Sequence, residues 1–184
     1  MSREYTRPCS GIGTYLIGLA NKFAERGNEV HVITESESGD ATESHGNLFI
    51  HKLDSKIRIP DIPLISTTYD FWDWKKVVKR NREKFKQIEK QFGIDILETP
   101  EVYGEATSLL KDLRIPFVVR LHCPQIVYSE IYKQDHTISD KMKNWYMNRI
   151  EIKATKKADQ IVAPSRRLAR IVSKKWNLSY NDIR

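Results

Sequence analysis

The sequence predicts an α/β domain in three layers, a mostly parallel sheet with helices on both faces. Three observations carry that expectation. Hydrophobic residues switch repeatedly between the helical and the strand period along the chain. The strand-like segments are rich in Val and Ile, as strands buried on both faces are. A glycine pair, Gly11 and Gly13, opens the first helical segment, where an α/β domain presents backbone amides to a ligand.

The elements follow in order. Residues 11–26 place Ile12, Leu16, Leu19 and Phe23 on one helical face, and Gly27 sits where a C-terminal cap belongs. EVHVIT (29–34) reads as a buried strand, the polar stretch 35–47 as a connection, and LFIHKL (48–53) as a second strand. Pro60 and Pro63 punctuate a loop that ends near Asp70. A long amphipathic helix follows, with Trp74, Val77, Val78, Phe85, Ile88 and Phe92 as its apolar stripe and Gly93 at its end. IDILE (94–98) is a short strand stopping at Thr99-Pro100, and a helix over about 103–113 contributes Ala106, Leu109, Leu110 and Leu113. PFVVRL (116–121) is the most strand-like segment, and His122 follows it directly. A helix over about 139–157 carries Met142, Trp145, Tyr146 and Ile150 on one side. DQIVAP (159–164) is the last strand, and Ser165 is placed to cap a final helix bearing Leu168, Ile171 and Val172. No linker divides the chain and no internal repeat is visible, so residues 1–184 read as one domain.

Composition bounds the function. With 40% hydrophobic and 30% charged residues the chain has an ordinary globular balance. No apolar run approaches the roughly 18 residues of a spanning helix, and the N-terminus lacks the pattern of a secretory signal. Two cysteines, Cys9 and Cys123, are too few for a disulfide framework, so a cytoplasmic setting is expected. The net charge of +7 suits an anionic partner: nucleic acid, an anionic membrane or a phosphorylated small molecule. No helix-turn-helix, zinc or RNA-binding signature is present, which leaves no expectation of nucleic acid. The helix 74–92 is rich in Lys and Arg, and it either lies on an anionic membrane or is simply solvated.

Chemistry-bearing residues cluster at the predicted strand ends. Gly11, Ile12 and Gly13 put amides and a helix N-terminus where a diphosphate could bind; two glycines before a helix can also be only a tight turn. His122, at the end of a strand, can donate or accept a hydrogen bond near neutrality, or can satisfy local backbone groups. Glu98 and Glu101 flank Thr99-Pro100 at a strand terminus and read either as ligand-binding carboxylates or as solvated loop charges. Asp159 begins a strand at its amino end, which favours a structural role. No His/Cys spacing or acidic cluster points to a metal, so neither metal nor cofactor is expected.

Four segments in order resemble the family 4 glycosyltransferases of the GT-B fold: SREYTRPCSGIGTYLIGLANKFAERGNEVHVIT (2–34), FGIDILETPEVYG (92–104), PFVVRLHCP (116–124) and KKADQIVAPSRRLARIV (156–172). The resemblance implies the Rossmann-like N-terminal, acceptor-side half of a retaining enzyme. Such an enzyme moves a sugar from a nucleotide-sugar donor to a glycan or lipid-linked acceptor. It implies that Gly11, Ile12 and Gly13 approach the donor diphosphate and that His122 sits beside the transferring sugar. It places Tyr15, Glu98, Glu101, Arg120 and Ser165 along the cleft. In that family a first strand precedes the glycine loop, and a second domain with a spaced pair of glutamates holds most of the donor. Only Met1–Tyr5 precede the loop and the chain ends at Arg184, so it reads as truncated at both ends, short of its first strand and of the C-terminal donor domain.

Overall fold

The computed structural model describes all residues except 4, 6–9, 55–65 and 134–136, and side chains from Trp74 onward in the long helix, with that of Ser139 also outside the description. The chain divides into two compact units, Met1–Gly93 and Ile94–Arg184, each with its own three-stranded sheet.

In the first unit, helix α1 (Gly11–Glu25) leads to β1 (Val30–Ser36), β2 (Ala41–His45), β3 (Leu48–Asp54) and helix α2 (Ser66–Phe92), with strand order β1-β3-β2. β1 and β3 are parallel, with Val32 opposite Ile50. Side chains alternate between sheet faces. Val32, Leu48 and Ile50 therefore pack with Tyr5 and Ala20 on the α1 side. Of the expected α2 stripe, Trp74, Val77, Val78, Phe85 and Ile88 are buried, whereas Phe92 at the helix end stays 40% exposed. Near the start of the chain, Ser2 N–H donates to the Ile33 carbonyl of the sheet at 2.9 Å.

Three expectations change here. The stretch 35–47 is no plain connection, because β2 pairs antiparallel with β3 over Ala41–His45. All five β2 residues are exposed, so no hydrophobic alternation announces the strand. Its signal is the two-residue turn Gly46-Asn47, where Gly46 takes φ +61° and begins a hairpin whose twist matches its strands. The buried face of α1 is Gly13, Leu16, Ile17, Ala20 and Ala24 rather than the face ending at Phe23, which stays 45% exposed. Small Ala20 and Ala24 let the helix lie close on the sheet. Finally, α2 starts at Ser66, eight residues before Trp74.

The second unit contains β4 (Leu97–Pro100), a 3-10 turn (Val102–Ser108), β5 (Phe117–Arg120), α3 (Gln125–Tyr132), α4 (Ile138–Thr155), β6 (Gln160–Val162) and α5 (Arg166–Trp176). The sheet order is β4-β5-β6, all parallel. β5 is central, and Phe117, Val119 and Leu121 are essentially inaccessible. Asp159 has the structural role expected of it: its carboxylate accepts from Phe117 N–H at 2.8 Å, while its own N–H donates to the Phe117 carbonyl at 2.8 Å.

The helix expected over 103–113 is instead the short 3-10 turn, interrupted at Tyr103 (φ 60°) and Gly104 (φ 52°). Left-handed residues break the α-helical ladder. The reason lies in α4: a Cβ on Gly104 would stand 3.0 Å from both the carbonyl carbon and oxygen of Ile150. Glycine therefore serves twice, for its dihedral and for the approach of the two backbones. Among the described residues of α4 only Ile150, Glu151, Ala154 and Thr155 are buried, whereas Met142 (67%) and Trp145 (59%) are exposed, with Arg149 stacked 4.9 Å over the Trp145 ring. Periodicity identified a helical face there, but the neighbouring turn covers only the helix's last two turns. No described helix is long and apolar enough to cross a membrane.

The α2-facing side of the first sheet carries a polar relay through two buried imidazoles. Thr42 Oγ1 lies 3.2 Å from His51 Nδ1, His51 Nε2 lies 3.0 Å from His31 Nδ1, and His31 Nε2 lies 2.9 Å from Glu29. Every bond is satisfied if Thr42 donates to His51, His51 to His31 and His31 to Glu29. Burial, reinforced by Lys84 and His31, lowers the His51 pKa from 6.5 to about 4. The unfolded chain therefore binds the proton first as pH falls, and stability is lost between about pH 6.5 and 4. On the order of 3 kcal/mol is at stake. Denaturant midpoints measured across that window should fall for the native chain, and the difference from a His51→Asn variant should isolate this slope.

Candidate functional site

In open parallel sheets, ligands bind beyond the carboxyl ends of the strands. In the second unit those ends carry Glu101 after β4, His122 and Cys123 after β5, and Ser165 after β6. The sequence placed all of these at strand ends, and the sheet brings them to one edge of this unit. Glu98 and Arg120 lie just inside that edge. Glu98 is opposite Val118, so Arg120 is its diagonal neighbour on the same face. Arg120 Nε donates to Glu98 Oε1 at 2.9 Å and its NH2 to Oε2 at 3.4 Å, with both side chains about a quarter exposed. This forked pair occupies the polar atoms expected to face an acceptor.

Glu101 differs from the expectation more sharply. It is fully buried, not a cleft-lining or solvated acid. His122 N–H donates to both of its oxygens at 2.9 Å, and Cys123 N–H donates to Oε1 at 2.7 Å. Burial pushes the Glu101 carboxyl up to about 7, against the pull of these amides and of Val102 N–H. A second buried acid, Glu151 of α4, accepts from Gln125 N–H at 2.8 Å and from Tyr103 N–H at 3.3 Å. Burial, with the Glu101 charge adding to it, raises Glu151 to about 8. Two neighbouring buried carboxyls resist double ionisation, so the pair titrates as a unit above the ordinary carboxylate range.

Sequence reading missed Glu151. A signal was present, since Glu151 stands three and four residues before Ala154 and Thr155 and so shares their buried helical face. An acid on the apolar side of a helix needs a partner.

His122 is half-buried. Burial holds its imidazole below the ordinary value, Arg120 pushes the same way and Glu98 opposes. The ring is thus neutral at physiological pH, with one donor and one acceptor nitrogen. Cys123 is a free, half-buried thiol pushed up by burial and by the Glu101 and Glu151 charges, which keeps it unreactive. Cys9 lies outside the described residues. Ser165 caps α5, its Oγ accepting from Leu168 N–H at 3.2 Å.

In the first unit, Ser10 caps α1, and its Oγ accepts from Gly13 N–H at 2.7 Å. Gly13 N–H is therefore already engaged, and Gly11 and Ile12 head the helix. Neither Gly11 nor Gly13 has a positive φ, and a Cβ on Gly11 would meet nothing within 4 Å. A tight turn does not require glycine at Gly11, and the space beside it is open. Tyr15 is part-buried on the same helix. Among the described residues no group of three His, Cys, Asp or Glu is placed to hold a metal ion.

The profile of Glycosyltransferase Family 4 matches residues 9–184. Among solved structures, a sucrose-phosphate synthase from Thermosynechococcus elongatus superposes with a TM-score of 0.67 at 16% identity, covering 95% of this chain and 42% of that one. The chain thus spans less than half the length of that enzyme, and at this identity the likeness concerns the fold. No curated protein matches the chain.

The electrostatics around His122 are open to test. Arg120→Met should raise the His122 pKa and Glu98→Gln should lower it further, read from the imidazole proton shifts in an NMR titration.

Proposed function

The chain belongs to glycosyltransferase family 4, and from that premise we propose that it is the acceptor-side, N-terminal half of a retaining enzyme. This enzyme would transfer a sugar from a nucleotide-sugar donor to a glycan or lipid-linked acceptor. The observation that carries the reading is the position of His122, a neutral imidazole on a braced loop at the carboxyl end of the central strand of a parallel sheet.

Sugar transfer breaks the bond between the anomeric carbon and the diphosphate oxygen and forms one to an acceptor hydroxyl. Negative charge grows on the departing diphosphate and positive charge on the sugar ring. The amides of Gly11 and Ile12, at the positive end of α1, suit the diphosphate. A neutral His122 suits a sugar hydroxyl, to which it can donate or from which it can accept without repelling the ring's positive charge. Glu98, Arg120, Tyr15 and Ser165 belong to the acceptor and cleft lining in this reading. Glu101 acts beneath the surface instead. Neither metal nor cofactor is assigned a part.

A second reading is a sugar- or nucleotide-binding module of the same fold without turnover. Isothermal titration of the chain with UDP-glucose and GDP-mannose, followed by a diphosphate-release assay, separates the two. Turnover excludes the module. In the full-length enzyme, His122→Ala should reduce transfer about a hundredfold while leaving the fold intact. Unchanged transfer would refute the assignment.

The cytoplasmic face of a membrane is the setting proposed for a lipid-linked acceptor. The apolar stripe of α2 is buried in its own unit, which leaves exposed Lys75, Lys76, Lys79, Lys86 and Lys90 for an anionic surface. Contact through this helix would be electrostatic. Sedimentation with phosphatidylglycerol vesicles should therefore be strong at low salt and lost at about 0.5 M, where the Debye length is a few ångström.

A further inference from the structure

Backbone N–H groups that leave the end of a buried strand must find acceptors, because water does not reach them. After β5 that requirement falls on His122, Cys123 and Gln125. It is met by side chains, not by other backbone. Glu101, 21 residues upstream of His122, takes the amides of His122 and Cys123. Glu151, 26 residues downstream of Gln125, takes the amide of Gln125 and reaches across to Tyr103 in the 3-10 turn. The loop is thus gripped from two sides by acids that are 0% and 1% exposed.

Neither acid has an ion-pair partner among the described residues. Burying an unpaired carboxyl opposes folding, and a loop needing only an acceptor could be served by a neutral side chain or a water. Two such acids converge on one four-residue segment, and that segment carries the one histidine of this unit among the described residues. A carboxylate also does what an amide side chain cannot. It offers two acceptors and no donor, so it can take converging N–H groups without a clash of protons. His122 N–H sits equidistant from both Glu101 oxygens, which fixes the plane of the peptide from which the imidazole branches. A side chain meant to meet a reacting group must be held to a fraction of an ångström, and that is the task of the groups behind it.

We infer that Glu101 and Glu151 are positioning residues for His122, clamping the backbone of residues 122–125 so that the imidazole keeps one orientation at the strand end. This rests on the reading of His122 as the sugar-contacting group, but the clamp can be measured without any sugar. Glu101→Gln places an NH2 group against the converging amides, and Glu151→Gln removes one of the two oxygen acceptors that hold the Gln125 and Tyr103 amides.

The experiment records residue-resolved amide exchange and the His122 imidazole resonance in the native chain and in both variants. In E101Q the His122 and Cys123 amides should exchange at least tenfold faster, with the α1 amides unchanged. The single imidazole resonance should broaden or split. In E151Q the acceleration should centre on Gln125 and Tyr103. A purely structural role would lower the melting temperature and leave the imidazole resonance unmoved in the folded state, and that outcome overturns the inference. Unaccelerated His122 and Cys123 exchange in folded E101Q overturns it equally. Should E101Q fail to fold, E151Q decides by the same two readouts. Failure of the functional reading looks different: His122→Ala would then transfer sugar normally while E101Q still loosened the loop.

Discussion

A buried carboxylate beneath the end of β5 sets much of the second unit. Glu101 leaves β4, turns inward instead of toward solvent, and accepts the first two amides of the neighbouring strand's exit loop. Because β4 and β5 are parallel, their carboxyl ends finish at the same level, and a residue just past one can reach the chain just past the other. The geometry of pairing makes the contact available; burial makes it strong, since the low local dielectric magnifies each charge-assisted bond. The same burial also raises the cost of ionisation, which the converging amides offset.

That constraint propagates through α4. Glu151 can serve the loop only if α4 lies against the 3-10 turn, and this close approach is possible only because Gly104 has no Cβ to strike the Ile150 carbonyl. Tyr103 adopts a left-handed backbone and donates to Glu151, so local strain and the buried acid occur together. The outer turns of α4 have no such neighbour, and there Met142 and Trp145 remain exposed. The unit's chemistry-bearing edge and its most constrained backbone are the same place.

Much of the architecture was legible in the sequence, and the failures have physical reasons. Val32, Ile33, Val119 and Ile161 announce their strands because β-branched residues in short runs pack well in sheets covered on both faces. β2 was hidden because Ala41–His45 is an edge strand with no buried side, so only Gly46-Asn47 marks it. His122, Arg120 and Ser165 could be placed because residues following strand segments must lie at strand ends. The task of Glu101 could not be read, since its partners are backbone amides more than twenty residues away and no side-chain pattern reports them. Glu151 was overlooked because charge on a helix is usually solvated, although its spacing to Ala154 and Thr155 set it on the covered side. The misplaced face of α1 has a further cause: Phe23 outweighs Ala20 and Ala24 in hydrophobicity, yet closeness of packing favours the smaller residues.

The central position of β5 has a consequence for how the loop comes into being. As the chain leaves the ribosome, His122 emerges well before residues that support it. Only Glu101 is already present to receive its amide. Glu151 follows 26 residues after Gln125, and Asp159, which ties down Phe117 at the start of the same strand, arrives 42 residues after its partner. The far edge of the sheet forms later still, when Leu121 N–H finds the Val162 carbonyl. Nascent protein therefore exposes an unsupported β5 for the time taken to synthesise about forty residues, several seconds at ordinary elongation rates. During that interval Glu101 is the one of these acceptors already synthesised.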